Sequence, residues 1–334
     1  MRILIKGFGH IARRHIRNIR VLNPASHIAI WRHDSQSDLD VGEFKSIIEK
    51  IFLNRQEALA WQPHIVFVTD PAPFHVETAL AFARRGSHVF VEKPLSTSLE
   101  NVDVLLRECE ERKLVLMVGY VLRFLKPLKL VKQALMEDRI GKVLCIRSTV
   151  GHYLCDWRPS RDYRTTVSAQ KKLGGGVLFE LSHELDTVRW LVGEVQAIQA
   201  LTAKISDLDL DLVEDTAELL LKFRSGAIGS IHLDMIDPAQ NRSCRVIGTR
   251  GTLHWNAEEA HTVRLYKAKE KEWVDLYSDS SLDSNEMYLE EVRHFFRCVE
   301  KRTEPFVTGE DGKRVLELIL AAKRSAQEKR EILV

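Results

Sequence analysis

The 334-residue sequence has few cysteines, and they are widely spaced. They number five, which is odd, and no two form a Cys-x-x-Cys pair. This spacing argues against the disulfide framework of a small secreted domain and against a cysteine-rich zinc site. The sequence therefore predicts reduced thiols, no bound metal and a cytoplasmic location. The residues are Cys109, Cys145, Cys155, Cys244 and Cys298.

The sequence also lacks a long apolar run and an excess of one charge. No stretch approaches the roughly 18 apolar residues of a membrane span, and Met1 leads into a strand-like segment rather than a signal peptide. The 49 basic and 47 acidic side chains give a formal net charge of +2, which offers no general attraction for nucleic acid. We predict a protein that binds neither membranes nor nucleic acid.

Length and pattern predict two domains of α/β class. The chain exceeds the roughly 150 residues that one domain usually contains. Over 1–122, short β-rich runs alternate with helical patterns, which is typical of a Rossmann fold with a doubly wound parallel sheet. Over 123–334, longer alternating strands and turn pairs such as Ser225-Gly226 predict an α+β domain with a large, mostly antiparallel open sheet.

A glycine-rich turn follows the first predicted strand. The run Gly7-Phe8-Gly9-His10-Ile11-Ala12 has the spacing G-x-G-x-x-A and opens a helix. The first glycine permits a tight turn, the second lets the backbone approach a pyrophosphate, and the small alanine allows close packing. The alternative is a tight turn without a ligand, but the position at the first strand of a βαβ series favours a dinucleotide site.

The end of the second predicted strand bears on the choice of dinucleotide. An NAD site usually carries an acid there for the ribose hydroxyls, whereas this sequence has Arg32 and His33. A guanidinium can pair with a 2′-phosphate. We therefore expect NADP, with NAD as the alternative if Asp34 reaches the ribose.

Several further motifs carry a family resemblance. The sequence resembles the glucose-fructose oxidoreductase and inositol dehydrogenase family (Gfo/Idh/MocA) over nearly its whole length. The motifs are the glycine loop, Val68-Thr69-Asp70-Pro71 with His75, Val91-Glu92-Lys93-Pro94, Gly119-Tyr120-x-x-Arg123-Phe124, Gly174-Gly175-Gly176 with a following His183, and Val246-Ile247-Gly248-Thr249-x-Gly251.

The resemblance implies hydride transfer at a sugar or cyclitol carbinol. It also implies an open sheet that mediates a homodimer or homotetramer. Lys93 matches the family lysine beside the nicotinamide and the reacting oxygen. The other implied cofactor-binding residues are Thr69, Asp70, Pro71, His75 and Glu92.

The resemblance also predicts a proton-transfer group. In the family, the glycine segment leads to an Asp and, four residues later, to a His that donates or accepts the proton. Here Glu180 precedes His183 by three residues, which resembles the branch found with surface-polysaccharide enzymes. We expect His183 to move the proton and Glu180 or Asp186 to orient its ring. The alternative is a histidine in a purely structural network.

The helix around His183 is predicted to be covered on both sides. Its side with His183 also carries Phe179, Asp186 and Trp190, and a solvated face seldom holds Phe and Trp. We therefore expect His183 in a cleft. The opposite stripe is apolar and consists of Val177, Leu181, Leu185, Val188 and Val192.

A loop over 152–164 combines aromatic and arginine side chains, and it resembles the same polysaccharide-linked branch. Arginine forks suit phosphate or carboxylate groups, and aromatic rings suit sugars or bases. A plain surface loop is the alternative. The candidate substrate-binding residues are Tyr120, Arg123, Tyr153, Trp157, Arg158, Arg161, Tyr163 and Arg164.

These features together predict an NAD(P)-dependent dehydrogenase or ketoreductase of a sugar or sugar nucleotide, in surface-polysaccharide sugar biosynthesis. Two alternatives stay open, since a fold does not fix a function. One is a sensor that binds the dinucleotide without turnover, and the other is a reductase of a different small molecule. The presence of both Lys93 and His183 favours the enzyme.

Overall fold

The computed structural model describes residues 1–32 and 41–334. Contacts divide them into an N-terminal unit, Met1–Val121 with Asn285–Leu316, and a second unit, Leu122–Ser284 with Glu317–Val334. The predicted ranges 1–122 and 123–334 run continuously, whereas Asn285–Leu316 lies with the N-terminal unit.

The N-terminal unit is built on a parallel sheet with the order β3-β2-β1-β4-β5-β6. All of its strand pairs are parallel, and parallel neighbours require crossover connections. Residues of β4 and β5 are buried throughout, as expected of strands covered on both faces. The strands are β1 (Arg2–Lys6), β2 (His27–Trp31), β3 (Ile48–Phe52), β4 (Ile65–Val68), β5 (His88–Glu92) and β6 (Leu116–Gly119).

The second unit contains a mixed sheet with the order β14-β13-β12-β11-β7-β10-β9-β8-β15. The pair β7 and β10 is parallel, and the other pairs are antiparallel. The strands are β7 (Val143–Gly151), β8 (Val195–Ala203), β9 (Thr216–Phe223), β10 (Ile228–Asp234), β11 (Asn241–Gly248), β12 (Gly251–Asn256), β13 (Thr262–Lys267), β14 (Glu272–Tyr277) and β15 (Ile332–Leu333).

Helices cover both faces of the parallel sheet and one face of the mixed sheet. Burial alternates strictly along β9, as in a strand with one covered face. The predicted α/β class, with a Rossmann sheet and a mostly antiparallel second sheet, is confirmed. The helices are α1 (His10–Leu22), α2 (Arg55–Ala60), α3 (His75–Ala83), α4 (Val102–Glu111), α5 (Lys126–Met136), α6 (Val177–Glu180), α7 (His183–Val192), α8 (Glu286–Lys301) and α9 (Gly309–Glu328).

Helix α8 joins the N-terminal unit through its aromatic face. The Phe295 ring lies 5.6 Å from the rings of both Phe67 and Phe90, on β4 and β5. Burying aromatic side chains in this way contributes strongly to a core. This packing explains why the segment after Ser284 belongs with the N-terminal sheet.

Register brings three strand ends to one edge of the parallel sheet. Lys6 of β1 pairs with Val68 of β4, and Val68 pairs with Val91 of β5. The carboxyl ends of the three strands therefore lie side by side, at the point where the strand order reverses. Open parallel sheets bind ligands at such a switch point.

Within residues 1–32 and 41–334, none of the helices is both long and apolar enough to span a bilayer.

Candidate active site

The two glycines of the first turn serve different purposes. Gly7 has φ of +99°, which L side chains rarely adopt, and a Cβ there would lie 3.2 Å from the Thr69 carbonyl oxygen. Gly9 has φ of −74°, and a Cβ on it would meet nothing within 4 Å among the described residues. Gly7 therefore shapes the turn, whereas Gly9 leaves open space above α1.

That open space suits an anion. Gly9 is the N-cap of the 13-residue helix α1, and the first turn of this helix contains no acidic residue. No side chain of the described residues caps this helix end. Because the first amides and the dipole of a helix favour negative charge, the geometry fits the pyrophosphate of a dinucleotide.

Two cationic side chains stand beside this turn. The guanidinium groups of Arg13 and Arg32 lie 4.5 and 5.4 Å from the centre of the Phe8 ring. Phe8 in turn packs edge-on against Phe44 at 5.6 Å. His33 and Asp34 lie outside the described residues, so the choice of residue at the ribose stays a prediction.

The loop after β4 is tied to β1. The Thr69 hydroxyl donates to the Lys6 carbonyl oxygen at 2.7 Å, and the Lys6 ammonium lies 3.8 Å from Asp70 and 3.9 Å from the centre of the Trp31 ring. Burial lowers the pKa of Lys6 to about 8, although Asp70 opposes the shift. Lys6 is a residue that sequence reasoning missed, and its signal is a lysine at the end of a buried strand.

His75 links two of the predicted cofactor-binding loops. Its Nε2 lies 2.5 Å from the carbonyl oxygen of Asp70, and its Nδ1 lies 2.9 Å from that of Pro94. The side chain is buried at the start of α3. This position favours a role in holding the loops that begin at Asp70 and Lys93.

Lys93 follows β5 directly, and the Lys93-Pro94 peptide bond is cis. The Lys93 amide donates to Glu92 Oε2 at 3.2 Å. The other carboxyl oxygen of Glu92 lies 2.6 Å from Nε2 of His15, a fully buried residue of α1 that sequence reasoning missed. Glu92 is therefore engaged by the protein at both oxygens.

The backbone conformation and the neighbouring side chains require glycine in the tripeptide 174–176 of the second unit. Gly174 and Gly176 have positive φ values of +82° and +102°. A Cβ on Gly176 would lie 2.8 Å from Oε1 of Glu214, and the same carboxylate accepts the Leu178 amide at 3.3 Å. Glu214 thus fixes the short helix α6 that leads to His183.

His183 is half-buried and is the first residue of α7. Both carboxyl groups expected to orient it have protein partners. Glu180 accepts a hydrogen bond from the Ser168 hydroxyl at 3.0 Å, and Asp186 is bound by Arg123, with a shortest contact of 2.6 Å. The structure therefore pairs these two acids with Ser168 and Arg123.

The prediction of one continuous helix around His183 is wrong: the chain leaves helical geometry at Leu181, so Phe179 lies on α6, and Asp186 and Trp190 lie on α7. Phe179 and Asp186 are buried, and Trp190 is half-buried. The ammonium of Lys132, on α5, donates to the Trp190 carbonyl oxygen at 2.6 Å. Burial, and secondarily the charge of Arg123, lower the pKa of Lys132.

The aromatic and arginine-rich loop folds near α6. Leu154, Trp157, Arg158, Tyr163, Thr166 and Ser168 line a small pocket. Ser168 also contacts Glu180, so this pocket and the turn before His183 share one residue.

The other predicted substrate-binding residues differ in how exposed their side chains are. Tyr153 is half-buried, and Arg161 and Arg164 are exposed. Arg164 is paired with Asp162 at 2.6 Å. Tyr120 and Arg123 are buried, so their contact with a substrate stays a prediction.

Comparisons with known proteins identify the family. Residues 1–120 match the family described as "Oxidoreductase family, NAD-binding Rossmann fold", and residues 132–334 match "Oxidoreductase family, C-terminal alpha/beta domain". The chain belongs to the Gfo/Idh/MocA oxidoreductase family. The family predicted from the motifs is thereby confirmed.

Two curated relatives span nearly the whole chain. Myo-inositol 2-dehydrogenase of Thermotoga maritima is 30% identical over 99% of this chain and 98% of that protein. Scyllo-inositol 2-dehydrogenase (NAD(+)) of Bacillus subtilis is 25% identical over 97% of this chain and 94% of that protein.

Solved structures share the fold. Levoglucosan dehydrogenase in complex with NADH superimposes with a TM-score of 0.88 at 20% identity, covering 100% of this chain and 99% of that one. The WlbA dehydrogenase from Bordetella pertussis, in complex with NADH and UDP-GlcNAcA, gives a TM-score of 0.82 at 24% identity, covering 100% and 98%. At these identities, the likeness shows the fold alone.

Proposed function

We propose that this chain is an NADP-dependent oxidoreductase that acts on a carbinol or keto carbon of a sugar or sugar nucleotide. The observation that carries the proposal is the combination, in one chain of this family, of an open glycine loop at a helix N-terminus with a half-buried His183 at the start of α7. The first feature suits a dinucleotide and the second suits proton transfer.

The roles of the side chains follow from their chemistry. A nicotinamide dinucleotide, when bound, would supply or accept the hydride. His183 takes the hydroxyl proton in oxidation and returns it in reduction, and such a placed group typically contributes 10²–10⁴-fold. The Lys93 ammonium stabilises negative charge on the reacting oxygen, and Glu180 orients His183.

The preference for NADP rests on two arginines. Arg13 and Arg32 both face the Phe8 ring beside the glycine loop, and guanidinium groups suit a 2′-phosphate. NADPH is expected to bind more tightly than NADH, and Arg32→Ala to remove most of the difference. Equal dissociation constants for the two cofactors in the wild type, measured by fluorescence, would refute this preference.

The substrate class rests on the loop over 152–164. Trp157 and Tyr163 offer ring faces, and Arg158 lines the same pocket. Arg161 adds an exposed guanidinium in the same loop. A sugar bearing phosphate or carboxylate suits this combination, and the WlbA complex holds such a ligand, UDP-GlcNAcA. We propose a role in surface-polysaccharide sugar biosynthesis, in the cytoplasm.

A homo-oligomer formed through the mixed sheet is part of the proposal. Leu201, Leu220 and Ile228 are each more than half exposed and lie on the neighbouring strands β8, β9 and β10. Apolar side chains clustered on an exposed sheet face favour association. Light scattering should find a dimer or tetramer, and a monomer at micromolar concentration would contradict it.

The test of the function is a turnover assay of wild type and His183→Ala with NADP⁺ or NAD⁺ and a panel of cyclitols, sugars and sugar nucleotides. Turnover of one panel member by the wild type, lost in His183→Ala while NADPH still binds, supports the proposal. Tight cofactor binding without turnover of any panel member would favour a sensor instead.

A further inference from the structure

The interior of the second unit contains a charge pair that is closed to solvent. Arg123, in the short 3-10 turn Val121–Phe124, donates to Asp186 from Nη2 to Oδ1 at 2.6 Å and from Nε to Oδ2 at 2.9 Å. The two side chains are only 4% and 1% exposed. The two hydrogen bonds form a bidentate fork. A substrate arriving from solvent cannot contact this fork without displacing the side chains packed around it.

A buried pair of this kind contributes little to net stability. The cost of removing both ions from water offsets their attraction, so apolar residues of similar volume are often as stable or more stable. An apolar pair cannot supply the fixed geometry of two parallel N–H···O bonds. We therefore assign the fork the task of fixing the position of the elements that carry the two side chains.

The position that it fixes is that of α7. Asp186 lies three residues after His183, and residues three apart in a helix project from neighbouring points of the same face. Further polar contacts also hold the helix. Arg242 of β11 binds Glu184 at 2.8 Å, and Lys132 binds the Trp190 carbonyl oxygen.

These anchors act on different parts of α7. Glu184 projects from a different side of the helix than His183, because successive residues are turned by about 100°. Trp190 lies two turns further along the helix. The Arg123–Asp186 fork is thus an anchor on the His183 face in the first turn, where a rotation of α7 would redirect the imidazole.

We propose that Arg123 and Asp186 are positioning residues whose fork sets the rotation of α7 and thereby aims the His183 ring, without touching the reacting atoms. This inference rests on the proposed role of His183 in proton transfer. It assigns both residues differently from the sequence-based expectation, which placed Asp186 with the catalytic group and Arg123 with the substrate-binding group. A misplacement of about 1 Å can cost on the order of 100-fold in rate.

The main test replaces both charges together. Arg123→Met with Asp186→Leu keeps the approximate volume and leaves no buried ion unpaired, so the melting temperature is expected to equal or exceed that of the wild type. The dissociation constant for NADPH should stay within about twofold, and kcat should fall about 100-fold. Wild-type kcat in this variant would overturn the proposal.

A second variant and a control separate the effect of the bidentate hydrogen bonds from the effect of the charge. Arg123→Lys keeps the charge but cannot make the bidentate contact, so kcat should fall about tenfold. The control is Arg189→Lys at the far end of α7, where Arg189 holds Glu194 in a similar fork, with contacts of 3.1 and 2.6 Å. Its kcat should stay within about twofold of the wild type.

The closing measurement does not depend on turnover. NMR of histidine-labelled protein follows the His183 signal, which is assigned by its absence in His183→Ala. In the double variant, a shifted or broadened His183 signal together with low kcat supports the proposal, and an unchanged signal overturns it. If His183→Ala itself turned over normally, the proposed function would fail, while the His183 signal would still show whether the pair positions the ring.

Discussion

The two units hold their candidate functional side chains by different means. At the edge of the parallel sheet, several contacts go to backbone oxygens: Thr69 donates to the Lys6 carbonyl oxygen, and His75 faces two further carbonyl oxygens. Around α7, charged side chains pair with one another, as Asp186 does with Arg123. Backbone carbonyl oxygens are thus prominent partners at the strand edge, beside its buried side-chain pairs, whereas α7 is held largely by pairs of charged side chains.

Buried carboxyl groups show the same contrast. Asp186 and Glu291 of α8 are both fully buried. Asp186 is paired with Arg123, whereas neither oxygen of Glu291 has a hydrogen-bond partner among the residues that the structure describes. Glu291 lies on the face of α8 between Tyr288 and Phe295, whose rings approach His15 and the β4–β5 aromatics. An unpaired charge is costly there, so burial favours the protonated form of Glu291.

Hydrogen-bond partners, rather than burial alone, decide the charge of such groups. Burial, and then the charge of Glu92, raise the pKa of Glu291 well above its ordinary value. Burial also acts to raise the pKa of Asp215, but hydrogen bonds from Ser206 and Ile205, among others, bring it below its ordinary value.

The largest effect is expected from His183→Ala, which removes the proton-transfer group but leaves the N-terminal unit untouched. Turnover should fall by about 10²–10⁴-fold, and the dissociation constant for NADPH should stay within about twofold. Steady-state kinetics and a fluorescence titration measure the two. The control is His27→Ala, at an exposed histidine paired with Glu49, which should leave both unchanged.

The next largest effect is expected from Gly9→Val. The Cβ of the new side chain meets no atom within 4 Å in residues 1–32 and 41–334, so the protein should fold, but the side chain would occupy the path of the pyrophosphate. NADPH affinity should fall by about 100-fold or more.

Gly7→Val is the matched contrast for this glycine. Its φ of +99° strains any L side chain by roughly 1–2 kcal/mol, so the melting temperature should fall. Unchanged NADPH affinity in Gly9→Val would show that the loop is only a turn.

Lys93→Ala is expected to lower kcat by roughly 10–100-fold and to raise the apparent KM, because an ammonium near the reacting oxygen both polarises and binds the substrate. The double variant with His183→Ala should lose less than the product of the two single losses if both residues act on one step. Fully multiplicative losses would place Lys93 in a different step. Lys301→Ala, at an exposed lysine, serves as the control.

The smallest effect concerns stability and pH. The folded-state pKa of Glu291 lies above the ordinary value of 4.5, so the folded protein keeps a proton that the unfolded chain releases. The contribution of this group to stability is therefore full below the unfolded pKa and falls by up to about 1.4 kcal/mol per pH unit as the pH rises toward the folded pKa. Glu291→Gln cannot ionise and should lose this slope.

Melting temperatures at about pH 5 and about pH 7 check this linkage. The advantage of Glu291→Gln over the wild type should widen with pH, and Glu290→Gln, at the neighbouring partly exposed glutamate, should show no such trend. An advantage that stayed constant with pH would mean that Glu291 does not titrate in this range.

The sequence predicts the glycine turn of the N-terminal edge because its signals are local, but it does not predict the buried partners of Lys6 and His15, which lie far along the chain. The glycine loop, its strand and its helix lie within 1–22, and the tight turn at Gly7 has the positive φ that the motif requires. The nucleotide preference stays a prediction, since His33 and Asp34 lie outside the described residues.

The charge pairs around α7 could not be predicted because their partners are distant in sequence. Arg123 and Asp186 are 63 residues apart, and Arg242 and Glu184 are 58 apart, so only the tertiary fold brings them together. One buried acid does leave a local signal. Glu291 falls within the stripe of α8 that includes Tyr288 and Phe295, where an apolar residue would be expected.

Hydride transfer is tested most directly by following deuterium during turnover of whichever panel substrate the wild type accepts. With deuterium on the reacting carbinol carbon and ordinary water as solvent, we expect the label on the nicotinamide ring of the reduced cofactor, with His183→Ala forming the same product more slowly. A reduced cofactor without the label, or label lost to the solvent, would contradict hydride transfer from a carbinol carbon.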